Sequence, residues 1–315
     1  MVNKPVIIIA GPTASGKSAL AVDIAEEFFG SVINADSMQV YRQLDVLSAR
    51  PSGPDLGRAP HRLYGVIDAA EKCSAGRWRQ MAAGEIEAAW SGKRLPIVVG
   101  GTGLYLKALL EGLSPIPDIP SSFRDEATVL LEHLGETAFH KELAKCDPDI
   151  AVRLPPGDRQ RMIRAFEVFQ ATGRPLSVWQ KEPLSGPPVR ARFYVVVVRP
   201  DREILYGRID TRFEKMIELG AVEEVRALLS LNLPPDLPVM KALGVPELTR
   251  YLNGEIELDL AVDEARRATR NFAKRQLTWL RHQLKNDLEI NAQYSESLRA
   301  KNFSFIRQFL LTDPS

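Results

Sequence analysis

Eight residues near the amino terminus, GPTASGKS (Gly11–Ser18), constrain this chain more than any other stretch. A short apolar run, Val6–Ala10, precedes them. From Lys17 to about Phe29 the spacing predicts a helix with Leu20, Ile24 and Phe28 on one face. Strand, glycine loop and helix form the setting in which G-x-x-x-x-G-K-[ST] cradles phosphate. Gly11 and Gly16 permit the tight path. The loop Gly11, Pro12, Thr13, Ala14, Ser15, Gly16, Lys17 and Ser18 offers backbone N–H groups and a helix N-terminus to an anion. Lys17 adds a point charge for the outer phosphate, and the Ser18 hydroxyl is a candidate ligand for Mg²⁺, a hard cation that prefers oxygen. The motif demands a pyrophosphate-like group. It demands neither a base nor a ribose.

The rest of the chain predicts an α/β fold around this loop. Ser31–Asp36 and Leu95–Gly101 read as further buried strands, with helical segments over Gln80–Trp90 and from Leu104. Alternation of strands and helices implies a parallel sheet. Two proline-rich stretches, SPIPDIPSSF and EPLSGPPVRA, bracket a segment in which helical signals dominate. The expectation is a P-loop parallel-sheet core over 1–119, a helical insertion over 120–190, and core completion with basic C-terminal helices over 191–315. Phe193–Val198 returns to the sheet, a helix break is expected at Gly220, and a long helix should run from about Leu258 to Leu284.

Composition excludes several classes. Lys and Arg number 41 against 40 Asp and Glu, so any nucleic-acid surface must be local. Cys73 and Cys146 form no CxxC pattern, and a reducing cytoplasm is expected. No apolar run is long enough to span a membrane. Two local basic clusters exist. Arg159, Arg161 and Arg164 fall within little more than one helical turn. Arg266–Lys285 carries seven cations and no acid, with Arg267, Arg270, Lys274 and Arg281 on helical spacing and Phe272, Leu280 and Leu284 able to face the core. Such rows suit a nucleic-acid backbone, or are a solvated face balanced by acids elsewhere.

A strand ending in Asp, common in triphosphatases, is missing: LPIVVGGTGLY ends in Gly100–Gly101. The nearest carboxylate is Asp36, at the end of the second strand, where α/β sheets face their ligands. It can act as a base toward a nucleophile or cap the next turn. Three functions fit these residues: a group transferase acting on RNA, a small-molecule kinase using ATP with Asp36 as base, and a nucleotide-controlled RNA-binding module.

Six stretches together decide among these by resemblance. GPTASGKS, ADSMQVYR, VGGTGLY, DRQRMIRAFEVFQATGRPLS, RIDTRFEKMIELGAVEEVRAL and ATRNFAKRQLTWLR occur in the order found in the tRNA dimethylallyltransferases, which the chain resembles from near residue 6 to near 285. The resemblance is to the bacterial type, without a zinc-finger extension. It implies transfer of a dimethylallyl group from dimethylallyl diphosphate to N6 of the adenosine 3′ to the anticodon of tRNA, with diphosphate leaving and Mg²⁺ as cofactor. It implies that Lys17 and Arg212 engage the diphosphate and Asp36 the adenine. It assigns tRNA contacts to Asp36, Ser37, Met38 and Gln39, to Thr102 and Arg124, to Gln160, Arg161, Met162, Ile163 and Arg164, and to Lys274, Arg275 and Gln276. The insertion would clamp the anticodon arm, and the enzyme is expected to be a cytoplasmic monomer. Thr102 as a helix cap, Arg124 as an exposed helix start, and Phe272 and Trp279 as core remain alternatives. The chain departs from the family at DVLSARPS, where Ser48 and Arg50 stand in a threonine-alanine-lysine-proline stretch, at LGVPEL, and at Leu280, where an aromatic is common.

Overall fold

A computed structural model describes residues 4–312. The first elements are β1 (Lys4–Ala10), α1 (Lys17–Glu27), β2 (Gly30–Asn34), α2 (Gly53–Arg58), β3 (His61–Arg62), α3 (Ala75–Ser91), β4 (Leu95–Gly100) and α4 (Gly103–Leu110). Five helices follow: α5 (Ser121–Leu134), α6 (Glu136–Cys146), α7 (Pro148–Arg153), α8 (Arg159–Thr172) and α9 (Leu176–Trp179). The chain closes with β5 (Ala191–Val198), α10 (Arg202–Glu218), α11 (Ala221–Ser230), α12 (Val245–Leu252), α13 (Leu258–Gln283), β6 (Leu288–Ile290) and α14 (Arg299–Leu311).

All six strands are parallel, in the order β3-β2-β4-β1-β5-β6. Val6–Ala10 are fully buried because β1 is paired on both edges and covered on both faces. Alternation divides them: Val6, Ile8 and Ala10 enter one core with Trp78, Ile86 and Phe213, while Ile7 and Ile9 enter the other with Leu20, Ile24 and Ile306. A strand buried on both faces reads as a continuous apolar run, as this one does.

The chain divides into two compact units, 4–110 with 187–312, and Glu111–Gly186. The helical segment is expected over 120–190 from the sequence, whereas the second unit starts at Glu111 and ends at Gly186. Val189 belongs to the main core of the sheet unit, so the chain has rejoined it by that residue. The helical unit has its own core, built on Leu131, Phe139, Leu143, Met162 and Val168. Asp147 is buried there and accepts hydrogen bonds from the N–H groups of Ile150 and Ser177, capping α7 and tying it to α9.

Among the elements that the sequence reading did not place are α2, α9, β3, β6 and α14. The strands are two and three residues long, too short for a periodic signal. Helix α14 buries Phe303 and Ile306 against the core on the α1 side of the sheet.

Ile8 lies opposite Val98 of β4 and Val195 of β5 and is wholly buried. Ile8→Ala is expected to lower the unfolding free energy by about 2–5 kcal/mol. A denaturant midpoint within error of the parent would contradict this placement.

Candidate active site

The phosphate loop leaves β1 and enters α1 at Gly16, whose φ of +86° is a left-handed conformation suited to glycine. The Lys17 ammonium donates to the Pro12 carbonyl at 3.1 Å. Burial lowers its pKa to about 8, opposed by Asp36 and reinforced by Arg212. Arg212, on α10, donates from Nη2 to the Thr13 hydroxyl at 2.5 Å, and burial lowers its pKa to about 10. Two cations held in a partly desolvated site favour an anionic ligand that restores their charged forms.

Asp36 lies just beyond β2, in a turn fixed from both sides. Asn34, buried, accepts the Asp36 N–H at 2.8 Å and donates to the carbonyls of Asp36 and Leu63. The Thr102 hydroxyl, beyond β4, accepts the Ser37 N–H at 2.9 Å. The cap alternative for Asp36 is part of the answer: Oδ1 accepts the N–H groups of Met38 at 2.9 Å and Gln39 at 3.4 Å. Those bonds occupy one carboxylate oxygen and hold the plane of the group. Oδ2 is left for a ligand. Gln39 donates to the carbonyls of Ser48 and Ala49, closing the loop that follows.

The glycines where a carboxylate was missing have a steric reason. A Cβ on Gly100 would lie 2.1 Å from the Ala35 carbonyl oxygen, and one on Gly101 would lie 2.2 Å from Gln276 Nε2. The second strand end and helix α13 both occupy the space that an aspartate would need.

Two adjoining cavities meet at this point. One, of about 480 Å³, is lined by Thr13–Ser18 and, from α10, by Arg208, Thr211, Arg212 and Lys215. The other, of about 270 Å³, is lined chiefly by apolar side chains, among them Met38, Leu44, Leu47, Phe213, Met216 and Phe272, with Arg275 at its wall. Thr13, Asp36, Ser48 and Arg212 line both. Phe272, open as core or contact residue, is therefore a cavity wall. Trp279 packs against the main core and over Gly103.

Helix α13 corrects part of the expected basic stripe. Arg270 is held by both oxygens of Asp210, at 3.1 and 2.9 Å, and Arg266 by Glu214 at 2.5 Å. Both acids come from α10, which packs on α13 through Leu205, Ile209 and Ala273. Counting acids within one helix missed them. Arg267, Lys274, Arg275 and Arg281 remain exposed. Gln276, assigned with its neighbours to tRNA, is instead 6% exposed, and its amide is spent on backbone groups within the protein.

In the helical unit, Gln160 and Arg161 are exposed, whereas the side chains of Met162 and Ile163 are buried in its core. Helical periodicity turns these two inward. Arg124 and Arg164 share one carboxylate, Glu167, at 3.4 and 2.6 Å. Glu167 is 3% exposed, so Arg124 is more than an exposed helix start.

Comparison with known proteins gives this geometry a family. A model described as IPP transferase matches residues 39–283, and one described as isopentenyl transferase matches 4–72. The chain is 56% identical to a tRNA dimethylallyltransferase of Paramagnetospirillum magneticum, over 99% of both chains. It is 55% identical to one of Rhodospirillum centenum, over 90% of both. Among solved structures, it superposes on a tRNA isopentenylpyrophosphate transferase of Bacillus halodurans with a TM-score of 0.69 and 31% identity, covering 98% of this chain and 97% of that one. A eukaryotic dimethylallyltransferase acting on tRNA gives a TM-score of 0.83 at 28% identity, covering 99% of this chain and 80% of that one. This chain belongs to the tRNA dimethylallyltransferase family.

Departures from the family pattern prove mostly internal. Leu280 is core. Arg50 turns inward, donating to Asp45 at 2.7 Å and packing against Gly65. The cavities are also lined or walled by residues that the sequence reading missed. Arg208 and Lys215 share the phosphate-side cavity with Arg212 and fall at i, i+4 and i+7 on α10, a spacing visible in the sequence. Glu224, on α11, accepts the N–H groups of Asp45, Val46 and Leu47 at 2.6, 2.8 and 2.9 Å. It anchors the loop whose Leu44, Leu47 and Ser48 wall the apolar cavity. No sequence signal links residues so far apart.

Lys17 gives a pH prediction. Below pH 8 the ammonium is charged, and as pH rises through 8 in the ligand-free protein that charge is lost. Affinity for a diphosphate ester should therefore fall above pH 8, by up to about tenfold per unit. Titration calorimetry across this range checks it. Lys17→Met should abolish the break, and a flat wild-type profile would contradict it.

Proposed function

We propose that this chain transfers a dimethylallyl group from dimethylallyl diphosphate to N6 of the adenosine 3′ to the anticodon of tRNA, releasing diphosphate. One observation carries the reading: Asp36 and Arg212 line both a cationic phosphate cavity and an apolar cavity beside it. A prenyl diphosphate has that same division. Its polar end suits the loop amides, Lys17, Arg208, Arg212 and Lys215, and its five-carbon end suits the apolar side. A kinase would need no apolar chamber beside Asp36, with Arg275 at its wall.

The bond that breaks joins carbon to the bridging oxygen, and its electron pair leaves with diphosphate. The bond that forms joins adenine N6 to that carbon. Lys17, Arg212 and the loop N–H groups stabilise charge as it grows on the leaving group. Asp36 Oδ2 takes the proton that N6 loses, while the two N–H groups on Oδ1 keep the carboxylate aimed. The adenine must leave its stack to reach this point. The Asp36–Gln39 turn, Thr102, Lys274 and Arg275 in the sheet unit, and Arg124, Gln160, Arg161 and Arg164 in the helical unit, are the surfaces read as RNA contacts.

Mg²⁺ fits this site as a substrate-held ion. No cluster of three or more His, Cys, Asp or Glu suited to a metal exists among the described residues. Ser18 lines the phosphate cavity beside Lys17, so its hydroxyl and diphosphate oxygens would hold the ion. Such an ion would add charge neutralisation on the leaving group. No helix among the described residues is long and apolar enough to cross a membrane, and a tRNA substrate supports a cytoplasmic reaction.

With Mg²⁺, the protein should prenylate an anticodon stem-loop bearing the target adenosine when given dimethylallyl diphosphate. Rapid ATP turnover without prenyl transfer would overturn the reading. Asp36→Ala should lower kcat by about 10²–10⁴-fold. Retained turnover would remove its role as base. Replacing Lys274 and Arg275 together should weaken RNA binding and flatten the slope of log K against log salt by about 1–2. An unchanged slope would argue against RNA contact there.

A further inference from the structure

We propose that Gln276 is a positioning residue for the phosphate loop, acting through Thr13 on the Arg212 guanidinium. This rests on the reading of the loop cavity as a diphosphate site. Gln276 belongs to the long helix α13, two positions from Lys274, yet its side chain points into the protein. Oε1 accepts the Thr13 N–H at 2.8 Å, and Nε2 donates to the Gly101 carbonyl at 2.9 Å. These partners are 263 and 175 residues away in the chain. Thr13 belongs to the loop after β1, and Gly101 follows β4. One amide thus ties the ends of two neighbouring strands to the helix.

The chemistry of the side chain matches the task. Two backbone groups of opposite polarity need one acceptor and one donor on one short, planar group, and Gln supplies both. Gly101 must lack a Cβ, since one would lie 2.2 Å from Nε2. The Thr13 N–H is thereby taken up by Gln276, and the Thr13 hydroxyl is held where it accepts Arg212 Nη2 at 2.5 Å. Thr13 and Arg212 line both cavities, so a shift in Thr13 moves the cation that meets the donor at the reacting end. No other side chain bonds the Thr13 N–H. Without Gln276 that donor is orphaned, and the loop must distort to satisfy it.

The test is steady-state kinetics of Gln276→Leu and Gln276→Glu, with inorganic pyrophosphate as a competitive probe and RNA binding measured separately. Gln276→Leu is expected to raise the KM for prenyl diphosphate and the inhibition constant of pyrophosphate together, by about tenfold. The Kd for the stem-loop should stay within twofold. Should that variant fail to fold, Gln276→Glu serves alone. Its carboxylate keeps the acceptor but repels the Gly101 carbonyl, so its donor KM should be raised at neutral pH. It should return toward the parent value at low pH, where the protonated acid can donate again. An RNA Kd that rises while donor KM holds would make Gln276 an RNA contact and overturn the proposal. A loss confined to kcat, tracking the fraction of folded protein, would overturn it in favour of a packing role. If the wild-type protein binds no pyrophosphate, the diphosphate reading fails first, and this inference with it.

Discussion

The structure depends on one constraint: β1 is a strand with no free edge and no free face. Parallel pairing to β4 and β5 uses its backbone groups, and alternating side chains fill two separate cores. Parallel strands bring their carboxyl ends to one edge of the sheet. The loops after β1, β2 and β4 must therefore emerge together. Lys17, Asp36 and Thr102, which those loops carry, are neighbours for that reason.

Adjacency of strand ends does not by itself aim a side chain. Several groups here are held by a second bond beside the one they offer a ligand. Asn34 and Thr102 fix the backbone of the Asp36 turn, and the turn's own N–H groups fix one oxygen of Asp36. Glu224 gathers three N–H groups of the loop that walls the apolar cavity. Glu167 holds Arg124 and Arg164 in the helical unit. Such supports limit the rotamers open to long polar side chains before a ligand arrives.

Electrostatics divide the same surface. Helix α10 brings Arg208, Arg212 and Lys215 to the phosphate cavity on one side and Asp210 and Glu214 to α13 on another. Those acids neutralise Arg270 and Arg266 and leave Lys274 and Arg275 exposed. A near-neutral chain thus keeps cations free at two sites and quenches others nearby. Salt affects the exposed pair far more than the buried loop.

The sequence alone determined the phosphate loop, the strands beside it and the helical character of the segment between the proline-rich stretches. Those signals are local: a motif eight residues long, an apolar run, a 3.6-residue period. The end of the second strand pointed to Asp36, and order within the family added Arg212 as an expectation. Tertiary structure decided the rest. It turned Gln276, Met162 and Ile163 inward, paired Arg270 with Asp210, and made Phe272 a cavity wall. It also supplied β3 and β6, which are too short to announce themselves. The reason is physical in each case. Whether a polar side chain meets solvent or a partner depends on which element packs over it, and that element is more than fifty residues away for Arg270 and more than a hundred and fifty for Gln276.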